Sequence, residues 1–378
     1  MIIAIEEYTS VWWVTYSGYL IIFLSLIFTS SFVITNFSAP AKLILKLLDT
    51  TNIGQVKNNS YKIYALNYCE KIFTIISNPA LIIGILICVI VVYFTYWPEH
   101  AAPFDPQERG RIIQNFDGEA KAAPFQPNKK YLMGSDAKSR DMLSRVIHGT
   151  KLTMTICFFV TILRLGIGSF IGIYSALKQN NLSKQMLSMA SVSASIPSLL
   201  FSLIFIKSIG GENGIWIFIF GLGLTGWSEQ TNLINNSIVW VKNQPFIESA
   251  ISIGSSPIQV FRRHIFPNIS AQIIPSTTQE LSAILLTLAE LGFLGLYVGE
   301  RATADILRMK TPKYPEWAGM LSGARLAVFK WPWLTIAPAL AITITIIGFN
   351  LTGIGLRKLL DPYQRYSLKT FQTHTKDK

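Results

Sequence analysis

Residues 248–268 read ESAISIGSSPIQVFRRHIFPN. The stretch lies between two apolar runs. It is polar, basic towards one end, and punctuated by Gly254, Pro257 and Pro267. A simple link between two runs needs only a handful of residues, so this length and punctuation call for a structural reason. Pro245 suits the first position of a helix, where its missing N–H is not needed, and Asn243 or Gln244 stands ahead of it. Ile247, Ala250 and Ile251 follow at helical spacing. Gly254 is able to adopt the left-handed conformation that closes a helix. Ser255 or Ser256 then offers a new N-cap, and Pro257 a new start. Ile258, Phe261 and Ile265 form an apolar stripe. Arg262, Arg263 and His264 gather near the far end, where the helix dipole favours positive charge. Pro267 is expected to end this second helix. The prediction is two short helices with a glycine elbow between them. Such a knob either fits a groove on a partner or lies on a membrane surface.

The surrounding sequence sets the elbow in a membrane protein. Half of the 378 residues are apolar and 14% are charged, against about 25% charged in a soluble domain. Seven apolar runs approach bilayer-spanning length, at about 11–35, 80–97, 152–177, 186–206, 214–227, 273–296 and 333–356. The fifth is short and glycine-rich, so it either extends through Trp227 or is a broken helix packed inside the bundle. The first run follows Glu6 and Glu7 rather than basic residues and is too long for a signal peptide, so it is expected to remain as an anchor. The expected fold is an all-α polytopic helix bundle of about seven spans. Its divisions are 1–79 (an N-terminal span and linker), 80–151 (a span and outer loop), 152–356 (a core containing the 243–268 loop) and 357–378 (a tail).

Charge sets the orientation. The net charge of +12 belongs in cytoplasmic loops rather than on a nucleic-acid face. No Lys or Arg precedes the first span, whereas Lys42, Lys46, Lys57, Lys62 and Lys71 follow it. The N-terminus is therefore expected outside, with the C-terminus and the 228–272 loop in the cytoplasm. Three cysteines without a CxxC pair and four scattered histidines give no disulfide framework and no metal site.

Within the spans, Gly168 and Gly172 in the third run, and Gly348, Gly353 and Gly355 in the last, are helix-packing signals. Arg164, Glu280 and Glu290 lie inside apolar runs, and Asn350 sits among the last glycines. A charge at the bilayer centre costs about 2.5–3.5 kcal/mol on insertion scales. Each should face the bundle or a wet cavity, as a pathway or gate residue or in a structural ion pair. Arg164 is expected to pair with Glu280 or Glu290. Asp136, Arg140 and Asp141 form either a charge network just outside the third span or a solvated capping turn. Trp317, Leu321, Ala324 and Val328 share a helical face, as a short helix at the outer surface or an interfacial anchor.

The elbow resembles the cytoplasmic coupling motif of ABC importer permeases, Glu-Ala-Ala, three residues, Gly, nine residues, Ile-x-Leu-Pro. Glu248, Ser249 and Ala250 match its start, Gly254 falls at its glycine, and Pro267 at its end, with His264 and Phe266 for Ile and Leu. Arg263 to Asn268 is similar to the peptide-import branch. So are YLMGSDAKSRDMLSRVIHGTKLTMT at 131–155, ELGFLGLYVG at 290–299, PEWAGMLSGAR at 315–325 and FNLTGIGLRKLLDP at 349–362. The resemblance covers about 73–362 and points to the C-type permease subunit of dipeptide, oligopeptide or nickel importers.

That resemblance implies a multi-pass protein of the bacterial cell membrane, with a B-type sister permease, two P-loop ATPases and an extracytoplasmic peptide-binding protein as partners. It implies that Glu248, Ser249, Ala250, Gly254, Pro257, Phe261, Arg262, Arg263, His264 and Pro267 couple to an ATPase. The chain contains no Gly-Lys dipeptide and hence no P-loop. ATP and Mg are therefore expected on partner subunits, with no cofactor and no catalytic residue here. The alternatives are a nickel-chelate import permease, an ion-driven secondary transporter, which needs an internal repeat that the sequence does not show, and a membrane enzyme or scaffold.

Overall fold

The computed structural model describes residues 78–360, apart from 117–118, 179, 210–213, 300, 305–308 and 324–326. The first expected span (11–35), most of the 1–79 segment, the tail beyond 360 and Ala324 lie outside the described residues.

The described chain is mainly helical. Helix α1 (Pro79–Tyr96) and the single turn α2 (Pro98–Ala101) precede a hairpin of strands β1 (Ile113–Phe116) and β2 (Glu119–Ala122). Helix α3 (Met142–Lys178) follows, then α4 (Asn181–Ala194), α5 (Ser198–Ile209), α6 (Ile215–Gly223) and α7 (Trp227–Lys242). The elbow is α8 (Pro245–Ser252) and α9 (Pro257–Val260), continued by a π-helical turn (Phe261–Ile265) into α10 (Phe266–Phe293). A second hairpin, β3 (Arg301–Ala304) and β4 (Met309–Pro312), short helix α11 (Trp317–Leu321) and α12 (Trp333–Leu360) complete it. Both hairpins are antiparallel, pairing Ile113 with Ala122 and Arg301 with Pro312 at their open ends. They are additions to the expected helix bundle, which the described residues otherwise form. Both lie in the long polar connections, where apolar periodicity carries no signal.

Among the described residues, three helices are long and apolar enough to cross a membrane: α1, α3 and α12. A fourth crossing is counted if α4 and α5, bent by 89°, form one span. The fourth apolar run is therefore not one straight helix. Pro197 disfavours helical backbone at Ile196, and α4 ends at Ala194. The fifth run breaks as well, between α6 and α7, where Gly226 takes φ +71°. Helix α3 starts ten residues ahead of its apolar run because Asp141 caps it. The Asp141 carboxylate accepts from both the N–H and the hydroxyl of Ser144, each at 2.7 Å.

Helix α3, about 55 Å long at 1.5 Å per residue, is the spine. Its middle packs Ile156, Cys157 and Val160 with Phe218 and Leu222 of α6 and Ile284, Leu285 and Leu288 of α10. The glycine signals lie at real contacts. A methyl on Gly168 would stand 2.7 Å from Gln230 Cβ, and one on Gly172 would stand 2.9 Å from the Thr231 carbonyl, so these glycines let α3 and α7 touch. Gly348 and Gly355 bring α12 against Ile87 and Leu81 of α1 in the same way. Ile83, Leu86, Val89 and Val92 of α1 point outward, as expected where lipid replaces water.

Candidate functional site

The elbow has the local structure that its sequence dictates. Helix α8 closes with a Schellman turn: Gly254 N–H bonds the Ile251 carbonyl at 2.9 Å, and Ser255 N–H bonds the Ala250 carbonyl at 3.1 Å. Gly254 takes φ +91°, which is why glycine stands there. Ser256 and Gln259 then form a reciprocal capping box, with Pro257 in the first turn. Pro267 does not end the second helix. The turn widens over Phe261–Ile265, where Phe266 N–H reaches back five residues to the Phe261 carbonyl. Pro267 thereby falls in the first turn of α10, where its missing N–H is not needed. The elbow's second arm and the long α10 are one helical run from Pro257 to Phe293.

One side of the elbow is bolted to the bundle. Ile247, Ala250, Val260, Ile265 and Ile269 are buried against Ala176 of α3 and Ile234, Ile238 and Val241 of α7, with Phe261 packed at the margin. Lys242 Nζ adds a bond to the Ala176 carbonyl at 3.1 Å. The other side is bare. Ile251 is 59% exposed, Ile253 85% and Ile258 79%, and Glu248, Ser249, Pro257, Arg262, Arg263 and Pro267 are exposed around them. His264 is half-buried, its ring 6.3 Å from that of Phe246. The three exposed isoleucines are missing from the expected coupling set. Helical spacing places Ile251 and Ile258 in apolar stripes, and the structure leaves both exposed.

A second cluster lies inside the bundle. Arg164 of α3 donates through Nη1 to Glu280 Oε1 of α10 at 2.7 Å, through Nε to the Leu222 carbonyl at 2.9 Å, and through Nη2 to Thr225 Oγ1 at 2.8 Å. Gln230 of α7 donates to Glu280 Oε2 at 2.8 Å. All four side chains are buried. The expected pairing is therefore with Glu280. Glu290 is exposed and Asn350 half-buried. Thr225 and Gln230 were not singled out from the sequence, where the visible signal is only a polar pair flanking the glycine break.

At the other end of α3, the Asp136–Arg140–Asp141 group is a buried network, correcting the solvated-turn expectation. Arg140 pairs with Asp136 at 2.6 Å. Asp136 Oδ1 also accepts from the N–H of Lys138 and of Arg140. Arg145, one turn into α3, donates to the carbonyls of Pro106 at 3.1 Å and Pro312 at 2.9 Å. Arg145 thus ties the 98–141 connection to the β4 hairpin. Nearby, α11 is not a surface helix. Trp317 is buried, donating its ring N–H to the Val146 carbonyl at 2.8 Å and its backbone N–H to Thr153. Glu316 caps α11 through the N–H groups of Ala318 and Gly319. Val328 faces out. Among the described residues, no group of three or more His, Cys, Asp or Glu is arranged to hold a metal ion.

The described chain is a helical bundle with helices long and apolar enough to cross a membrane and a capped, partly exposed elbow at one end. Residues 168–366 match the family model described as binding-protein-dependent transport system inner membrane component, and the chain belongs to that family. It is 28% identical over 286 residues to the dipeptide transport system permease protein DppC of Haemophilus influenzae, covering 76% of this chain and 91% of that protein. It is 26% identical over 285 residues to the di/tripeptide transport system permease protein DppC of Pseudomonas aeruginosa, covering 75% and 88%. It is 27% identical over 278 residues to the glutathione transport system permease protein GsiD of Escherichia coli, covering 74% and 84%. A solved chain of the MetNI methionine ABC transporter in inward-facing conformations superposes with a TM-score of 0.45 at 14% identity, over 58% of this chain and 98% of that one.

Proposed function

We propose that this chain is the permease subunit of an ATP-driven importer of dipeptides and oligopeptides. It forms half of the translocation pathway beside a B-type sister permease. Two separate P-loop ATPases supply the energy, holding ATP and Mg, and an extracytoplasmic binding protein delivers the peptide. The substrate class is supported by the dipeptide, di/tripeptide and glutathione permeases to which the chain is similar. Orientation follows the charge argument, with the elbow and C-terminus cytoplasmic.

The observation that carries the coupling role is the two-sided elbow. Its inner face is locked into α3 and α7, and its outer face presents Ile251, Ile253 and Ile258 beside Glu248, Arg262 and Arg263. An apolar centre with a charged rim is the anatomy of a docking knob. Shifting a two-state equilibrium from 1:99 to 99:1 takes about 5.5 kcal/mol of differential interaction. A capped, helix-continuous elbow is stiff enough to transmit such a bias.

The test is purification of the chain from its own membranes in mild detergent, beside Gly254→Val, with mass spectrometry of what accompanies each. A Cβ at Gly254 meets no atom within 4 Å, so the substitution acts through backbone strain at φ +91° rather than through a clash. The expected outcome is two ATPases and a sister permease with the unaltered chain, and loss of the ATPases or of ATP-coupled uptake in the variant. A chain that purifies alone and is indifferent to the substitution makes the elbow an interfacial helix.

A further inference from the structure

The elbow explains how a partner takes hold, but not how its movement reaches the cargo. The buried polar cluster lies on the path between them. Glu280 belongs to the same helical run as the elbow's second arm, 23 residues beyond Pro257, with the π-helical turn and Pro275 between them, or about 35 Å along the axis. Across from it, Arg164 holds the end of α6 by the Leu222 carbonyl and the start of the α6–α7 break by Thr225. The backbone is shaped for this guanidinium: at Gly226 a Cβ would stand 2.6 Å from Arg164 Nη1. Thr225 has a second place. With Leu224 and Trp227 it lines a groove of about 370 Å³, whose other wall is the α4–α5 bend with Met189, Ser193 and Phe201. Two helix breaks therefore face each other across a mainly apolar groove that carries the Ser188, Ser193 and Thr225 hydroxyls. In a membrane, broken helices are tolerated where they line a cavity or are buried in protein.

We propose that Glu280, Arg164 and Thr225 form a mechanical joint that converts movement of the elbow helix into a change in the width of this groove, with Arg164 as its positioning residue. The joint deepens the importer reading and rests on it. Apolar side chains slide past one another, whereas a buried guanidinium fixed by three directional bonds moves with its partners. Removing one member of such a pair strands a charge, so the link stays closed while the helices shift. Gln230 holds the free carboxylate oxygen, and Ser276 of α10 reaches Gln230 at 3.4 Å. Helices α7 and α10 are thereby kept in register on either side of Arg164.

The test uses the complex purified from its own membranes and reconstituted in vesicles, with ATP inside or outside as orientation requires. Labelled dipeptide uptake and ATP hydrolysis are measured on the same vesicles. Glu280→Gln keeps the shape of the side chain and removes its charge. The expected result is hydrolysis close to that of the unaltered complex, with dipeptide taken up per ATP reduced about tenfold, inside the roughly 5- to 150-fold range of coupling energies between sites. A merely structural role lowers uptake and hydrolysis in proportion to assembled complex; an unchanged ratio of that kind overturns the joint. If Glu280→Gln fails to assemble, Thr225→Val decides, since it removes no charge and only the two bonds of one hydroxyl, accepted from Arg164 and donated to the Leu222 carbonyl. A several-fold fall in the ratio supports the joint, and an unchanged ratio overturns it. Vesicles of the unaltered complex that take up dipeptide with ATP keep the importer reading whatever the variants do. Unaltered vesicles that take up none overturn both.

Discussion

At Glu316, burial and hydrogen bonding act in opposite directions. Removal from water raises the carboxyl from its ordinary 4.5 to about 7, against the lowering effect of the Gly319 and Ala318 N–H groups. Among the described residues no cation pairs with it, and Cys157 and Tyr297 are its titratable neighbours. A folded state that holds its proton more tightly than the unfolded chain is favoured at low pH. The contribution is complete below about 4.5 and is lost as pH rises through about 7. The detergent-solubilised protein should therefore lose thermal stability between about pH 5 and pH 8, and Glu316→Gln should flatten that slope. An identical slope in the variant would place the titration elsewhere. This residue was not legible in advance. Glu316 sits in a polar stretch where a carboxylate is ordinary, and only the burial of α11 makes it unusual. Arg164 and Glu280 were legible because a charge in an apolar run must be answered by a partner. Which glutamate answered was not, since both candidates lie on the same helix, about 15 Å apart along its axis, and neither the height nor the rotation at which that helix meets Arg164 is written in the sequence.

The same limit holds for elements. The elbow was legible residue by residue, because capping boxes, first-turn prolines and glycine turns are local. Pro267 was the exception. Its local chemistry says stop, yet a widened turn ahead of it lets the helix run on, with Ile265 and Ile269 on either side of Pro267 buried against α3 and α7. The breaks in the fourth and fifth runs were blurred because hydropathy averages over a bend. Where small residues set a contact, sequence and structure agree. Helices α3 and α7 meet at Gly168, where a Cβ would already lie 2.8 Å from the Trp227 carbonyl. Gly168→Leu has nowhere to go without moving backbone, and overpacking of this kind costs about 1–3 kcal/mol. Gly166 is the internal control, since a Cβ there meets nothing within 4 Å. Thermal unfolding in detergent should show Gly168→Leu clearly destabilised and Gly166→Leu close to the unaltered chain. Equal effects would mean that the α3–α7 contact does not limit stability.

For the whole molecule, the division of labour along α3 is the organising feature. At one end Arg145 and Asp136 rivet two long connections into one body. In the middle Arg164 joins three elements, and at the far end Ala176 anchors the elbow. Under the proposed function, the partner that drives the transporter grips the exposed apolar residues of the elbow, Ile251, Ile253 and Ile258. Ile253 and Ile258, at 85% and 79% exposed, contribute little to the fold of this chain. Residues at the centre of an interface often account for 2 kcal/mol or more when altered. Ile253→Asp should thus leave insertion and thermal stability unchanged while weakening capture of the ATPases by about tenfold or more. Titration of the purified ATPases against vesicles containing either form measures this directly. The comparison with Arg262→Ala is informative. A rim charge should change the salt dependence and the association rate more than the final affinity. If Ile253→Asp binds as the unaltered chain does, the grip lies on the charged rim, and the stiffness of the elbow must act through Arg262, Arg263 and Glu248 instead.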